Sequence, residues 1–134
     1  MANYNKGANA ERELIHKLWD KGFAVTRTAG SGSTPLPAPD LVALGKTKKL
    51  AFECKAWKSS YLSLDIAQME EQMEWCERGD AELYIAWKVP REGWLFLHPK
   101  HFNKTPKFYY ISRKTADKNA VKLEVILGQQ ATLK

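Results

Sequence analysis

The sequence predicts an α/β domain, on three observations. Residues 8–21 carry an apolar stripe at helical spacing and stop at Gly22. Residues 40–44 and 49–55 are short apolar runs on either side of Gly45-Lys46-Thr47-Lys48, the pattern of a β-hairpin. Residues 81–89 form a further β-rich run after a second helical stretch at 63–78. At 134 residues, the chain is expected to form one domain over 1–134 that buries about two-thirds of its unfolded surface.

In the first helix, Glu11, Leu14, Ile15 and Leu18 fall at i, i+3, i+4 and i+7 and share one face. The apolar members turn to the core, which leaves Glu11 at its edge, where an inward carboxylate needs a cation or a donor. A salt bridge and a metal are both open to it. Residues 23–28 read as a first strand. Residues 29–39 hold two glycines, three prolines and three hydroxyl residues without periodicity, and lead directly into Asp40. Loops of that length in compact domains usually carry function, and Ser31 and Ser33 suit contact with a phosphate backbone. Residues 56–61 are expected as a loop bearing Trp57 and Lys58.

Ser63 is placed to N-cap a helix running to Arg78 and closed by Gly79. Ile66, Met69, Met73 and Cys76 make its inner stripe. Trp75 falls off that stripe, which predicts an aromatic exposed in the monomer, of the kind that marks protein interfaces. Residues 81–89 are a strand, and the turn at 90–93 leads into 94–98 as its hairpin partner. Residues 108–111 are a short strand candidate. Residues 123–127 fit a helix and a strand equally well.

Composition narrows the class. Hydrophobic content of 44% with 27% charged residues is that of a soluble globular protein. The formal charge of +6 favours an anionic partner, nucleic acid first. Cys54 and Cys76 fit neither a zinc motif nor a disulfide framework and read as thiols of a reducing compartment. The N-terminus is polar and no run is long enough to span a bilayer, so a cytoplasmic protein is expected. His98 and His101 lack companion ligands. No glycine-rich phosphate loop points to a nucleotide cofactor, and no serine elbow points to an acyl hydrolase. Lys100, Lys104, Lys107, Arg113, Lys114 and Lys118 read as a solvated face.

The chemistry concentrates in Asp40, Glu53 and Lys55. Side chains alternate along a strand, so Glu53 and Lys55 point one way and Cys54 the other. A hairpin can bring Asp40 near Glu53, although the sequence leaves its register open. Two close carboxylates favour a divalent cation, and a nearby ammonium can orient a water or stabilise charge on phosphorus. Pro-Asp turns and Glu-x-Lys strands also occur without function. Here the apolar run Leu50-Ala51-Phe52 puts the pair at the end of a buried strand, which favours a site.

Taken together these residues resemble the archaeal-type Holliday junction resolvases, a branch of the restriction-endonuclease-like nucleases whose shared signature is Pro-Asp…Glu-x-Lys. The resemblance rests on Glu11-Arg12-Glu13, Lys21 to Val25, Arg27, Gly30 to Ser33, Pro39 to Val42, Phe52 to Lys55, Tyr61-Leu62, Lys88, Gly93-Trp94 and Leu123 to Gly128. It implies a central mixed β-sheet flanked by α-helices, a two-fold homodimer, and Mg²⁺-dependent cleavage of opposed strands in four-way junction DNA, with Mn²⁺ as a substitute. Glu11, Asp40 and Glu53 are then implied as catalytic metal ligands, together with the main-chain carbonyl of Cys54, and Lys55 as the group that orients the attacking water. Arg12, Arg27, Ser31, Ser33 and Lys88 are implied as DNA contacts, and Trp75 as part of the dimer surface. The setting would be the cytoplasm of an archaeal cell, or of a host cell for a viral protein. The proline-rich segment 35–39 departs from lysine-rich versions of this loop. Rival readings are a related nuclease acting on another DNA structure or sequence, and a non-catalytic junction-binding protein.

Overall fold

The structure is a computed structural model that describes residues 2–28 and 36–128. Its centre is a five-stranded mixed sheet in the order β1-β2-β3-β5-β6. The strands are β1 (Ala24–Arg27), β2 (Leu41–Leu44), β3 (Lys49–Ala56), β5 (Glu82–Val89) and β6 (Gly93–Leu97). β3 and β5 run parallel and the other neighbours antiparallel. A parallel pair needs a crossover, supplied by strand β4 (Tyr61–Asp65) and helix α2 (Ile66–Gly79). β4 belongs to a second, three-stranded sheet with β8 (Phe108–Ser112) and β7 (Asn103–Lys104).

Helix α1 (Ala2–Asp20) starts earlier than its apolar stripe. It ends as expected at Gly22, whose φ is +94°. Gly22 N–H donates to the Trp19 carbonyl at 2.9 Å and Phe23 N–H to that of Leu18 at 3.1 Å. This is a Schellman closure, in which the left-handed position favours glycine and the flanking apolar pair packs together. Leu18 and Phe23 do so, in one cluster with Leu14, Leu41, Leu50 and Phe52. The opposite face of the sheet packs against α2 and the small sheet through Ala51, Leu62, Leu64, Met69, Ile85 and Trp87. β3 thus sends Leu50 and Phe52 to the α1 side and Ala51 to the α2 side, the two-residue alternation of a strand buried on both faces.

Three expectations need correction. Ser63 is no N-cap: it lies inside β4, and α2 begins only at Ile66. Residues 61–65 alternate exposed and buried and pair with 108–112, so a partner strand far along the chain outweighs the local helical signal. Asp80, and not Gly79, takes the left-handed cap of α2, with φ of 56°; its N–H reaches the Cys76 and Glu77 carbonyls. Trp75 is half-buried against the α2-side core, and its outer side lines a groove with Leu36 and Pro37.

The ambiguous segment at 123–127 includes a short helix, α4 (Leu123–Ile126), which seats Leu123, Ile126 and Leu127 in the α1-side core. A further helix, α3 (Arg113–Asn119), was not anticipated. Ser112 caps it, its hydroxyl accepting from Thr115 N–H. Among the described residues, no helix is long and apolar enough to cross a membrane.

The hairpin turn is tightly packed. A Cβ on Gly45 would stand 2.6 Å from the ring of Phe23, which is itself buried. Gly45→Ala is therefore expected to cost about 1–3 kcal/mol by forcing that ring aside. Urea denaturation measures this. An unchanged midpoint would mean that Phe23 is not fixed.

Candidate active site

The β2–β3 register, open in the sequence, is fixed in the structure. Leu41 pairs with Phe52, so Asp40, one residue outside β2, comes opposite Glu53. Directly opposed residues in an antiparallel pair have Cβ atoms about 5 Å apart and point to the same side. The segment before Asp40 is tied down on three sides. Thr28 N–H donates to the Asp40 carbonyl at 2.9 Å, and the Thr28 hydroxyl donates to the Pro39 carbonyl. From α2, the buried Gln72 donates to the Ala38 carbonyl at 3.1 Å. The Asp40 carboxylate accepts from Cys54 N–H at 2.9 Å.

Glu53 is 4% exposed. One of its oxygens accepts from Gln68 Nε2 of α2 at 2.7 Å. The other, Oε1, is buried without a hydrogen-bond partner among the described residues. Burial, and then the charge of Asp40, push the Glu53 carboxyl up to about 7; Lys55, the Asp40 main chain and Gln68 pull the other way. Asp40 is also raised, first by burial and further by Glu11, against the Cys54 N–H bond, Lys55 and Arg27. The Cys54 thiol is pushed well up by burial and by the three surrounding carboxylates, Asp40, Glu11 and Glu53. It therefore stays a thiol, leaving the main chain of Cys54 as its available donor.

Glu11 and Arg27, given separate roles by the resemblance, meet in a 2.6 Å ion pair at the mouth of the site. Of the two partners open to Glu11, the salt bridge is the one observed. Arg12 is exposed and donates to Asn9 at 2.8 Å. Lys88 forms an ion pair with Glu13 at 3.1 Å and lies 5.5 Å from the centre of the Trp94 ring. Trp94 Nε1–H also donates to Glu13, at 3.0 Å. Lys88 therefore ties α1 to the sheet. Ser31 and Ser33 lie outside the described residues.

Gln68, Gln72 and Glu13 were missed in the sequence. The first two carried a readable signal, since they stand one helical turn apart on α2, with Gln72 inside the stripe of Met69, Met73 and Cys76. A polar residue on a buried face has to be bonding something.

Among the described residues, no group of three His, Cys, Asp or Glu side chains forms a ready metal cage. The site nonetheless fits a divalent cation: two opposed carboxylates with raised pKa values, and a buried carboxylate oxygen that no donor among the described residues meets. An anionic oxygen in that position is unfavourable until a cation or proton meets it.

A mixed sheet whose central strand carries a Glu, opposed by an Asp from the neighbouring strand's start, with a lysine two residues on belongs to the class of nuclease-fold proteins. The comparisons narrow this class. A family profile described as archaeal Holliday junction resolvase (hjc) matches residues 2–134. The crossover junction endodeoxyribonuclease Hjc of Archaeoglobus fulgidus is 38% identical over 107 residues, 80% of this chain and 79% of that protein. The Methanocaldococcus jannaschii protein of the same name is 33% identical over 111 residues, 83% of this chain and 79% of that one. The 1.6 Å structure of Archaeoglobus fulgidus Hjc, a Holliday junction resolvase, superimposes with a TM-score of 0.84 at 31% identity, over 95% of this chain and 99% of that one. The chain belongs to the archaeal Holliday junction resolvase family.

Gln68 donates to the charged form of Glu53, so its loss should raise the Glu53 pKa further. In Gln68→Ala, the acid limb of the pH–rate profile is expected to move to higher pH. A lowered rate with an unmoved limb would contradict this positioning role.

Proposed function

We infer that the protein is a structure-selective endonuclease that resolves four-way DNA junctions by symmetric, metal-dependent hydrolysis of opposed strands. The observation that carries the reading is the buried Asp40–Glu53 pair beside Lys55, in a chain of the resolvase family.

Asp40, Glu53 and the Cys54 carbonyl would hold the cation, Mg²⁺ with Mn²⁺ as a substitute, and Glu11 would complete the set by leaving Arg27. A bound divalent cation supplies charge stabilisation at the phosphate and a more acidic water. The chain's own groups do the rest. Lys55 stands on the same side of β3 as Glu53, where its ammonium orients the attacking water and faces the negative charge that builds on phosphorus. Gln68 keeps Glu53 turned into the site, and Thr28 and Gln72 keep Asp40 there. With Glu11 turned to the cation, the Arg27 guanidinium would turn to a phosphate beside the scissile one. Arg12 would reach the backbone from the exposed side of α1, and the hydroxyls of Ser31 and Ser33 suit further contacts with it. Water attack on phosphorus breaks the P–O3′ bond and leaves a 5′-phosphate and a 3′-hydroxyl.

A four-way junction has near two-fold symmetry, and a C2 dimer offers two such sites to two opposed strands. The half-buried Trp75 and its groove with Leu36 and Pro37 suit that dimer surface. Selectivity then comes from junction shape, through backbone contacts that carry no base information. Action on DNA without a membrane step or a nucleotide cofactor fits a cytoplasmic enzyme.

The test is cleavage of an immobile synthetic junction beside a linear duplex of the same sequence, with Mg²⁺ or EDTA. Paired symmetric nicks on the junction alone, lost in EDTA, are expected. Asp40→Asn should abolish cleavage, by at least about 10³-fold, and retain junction binding. Equal cutting of both substrates would overturn the junction reading. Binding without cutting by the wild-type protein would favour the non-catalytic alternative.

A further inference from the structure

Beyond the carboxylate–lysine centre, the chain leaves aromatic rings in solvent. Trp57 is 39% exposed and Tyr61 52%. Trp87 stands opposite Lys55 in the β3–β5 register, and its indole donates to the Trp57 carbonyl at 3.0 Å. Trp87 belongs to the α2-side core. The Trp57 turn is thus anchored from the face on which Glu53 and Lys55 stand. The Trp57 indole in turn reaches the Tyr61 carbonyl at 3.4 Å, and Tyr61 N–H donates to the Ser59 hydroxyl at 3.2 Å. The Tyr61 ring lies against Tyr110 of β8, with centroids 6.1 Å apart. These bonds fix the turn and leave ring surface open.

Rigid aromatics beside a phosphodiesterase centre call for an occupant, and the charges around them indicate which. Lys55 and Lys58 flank Trp57 in the chain, and neither forms an ion pair among the described residues. Asp65, the acid on this face of β4, lies at the far end of the strand from Tyr61. An anion that also presents flat π-surfaces fits: a nucleic acid whose bases are accessible. Aromatic side chains stack on bases of any sequence, each worth about 1–3 kcal/mol. A continuous duplex hides its base faces, whereas a branch point interrupts stacking and exposes them.

We propose that Trp57 and Tyr61, backed by Tyr110, form a shelf that stacks against nucleobases exposed at the branch point, while Lys58 takes an adjoining phosphate. The shelf rests on the resolvase reading and deepens it. It gives that reading a direct physical contact that a linear duplex cannot make.

The experiment uses a four-way junction with 2-aminopurine at the branch point and a linear duplex with the same base inside it, both in EDTA. Wild-type protein should quench the branch-point fluorescence and prefer the junction. Trp57→Ala and Tyr61→Ala should each lose roughly ten-fold in junction affinity together with the quenching, and bind duplex as before. Trp57→Phe and Tyr61→Phe, which keep a ring, should retain both. Equal weakening on junction and duplex would overturn the shelf. So would alanine variants that elute as a smaller species, since the rings would then belong to a subunit interface. A wild-type preference that survives both alanine substitutions sinks the shelf alone. A wild-type protein indifferent to the branch sinks the resolvase reading and the shelf with it.

Discussion

Two like charges held face to face across the β2–β3 hairpin dominate this structure. Asp40 stands opposite Glu53, both largely out of water. At roughly 5 Å and an effective dielectric of about 20, their repulsion is on the order of 3 kcal/mol. Desolvation adds to this. The groups that oppose it are the Cys54 and Asp40 main chain, the Gln68 amide, Lys55 and Arg27, and they do not balance it, since both carboxyls remain raised. The site is built short of positive charge, and a cation would make up the shortfall.

Much of the rest of the molecule keeps that pair in place. The α1-side core glues β2 to β3 through Leu41, Leu50 and Phe52 and sets the register that opposes the two acids. A one-residue slip would turn Glu53 to the other face. From the opposite side, α2 holds Glu53 through Gln68 and the approach to Asp40 through Gln72. α1 carries both Glu11, which faces Arg27, and Glu13, which ties to Lys88 and Trp94 on β5 and β6. Two helices thus meet the site with polar side chains, and their apolar faces lock them to one sheet.

The parts legible in the sequence were those encoded locally. The α1 stripe with Gly22, the hairpin around Gly45 and the β5–β6 pair each carry their own signal. The pairing of β4 with β8 does not: Tyr61 meets Ser112 only after α2, β5 and β6 have intervened, and the local helix signal at Ser63 was misleading. Glu53 and Lys55 were readable from alternation, and the nearness of Asp40 from the hairpin. What could not be read was the register itself. The roles of Gln68 and Lys88 also depend on which helix lies over which strand, and no short window contains that. The pairing of Glu11 with Arg27 joins two residues that the sequence suggested for different partners.

The buried acid pair is held in a tension that a divalent cation would relieve. Urea unfolding of wild type and Glu53→Gln, at pH 8 with Mg²⁺ or EDTA, tests it most directly. The folded Glu53 pKa of about 7 lies above its ordinary value of 4.5. Stability is therefore fully present below about pH 4.5 and is lost as pH rises through 7, by about 3 kcal/mol. In EDTA at pH 8, wild type should be no more stable than Glu53→Gln, and Mg²⁺ should stabilise wild type far more than the variant. A wild-type protein indifferent to Mg²⁺, and more stable than the variant in EDTA at pH 8, would show that no such tension exists.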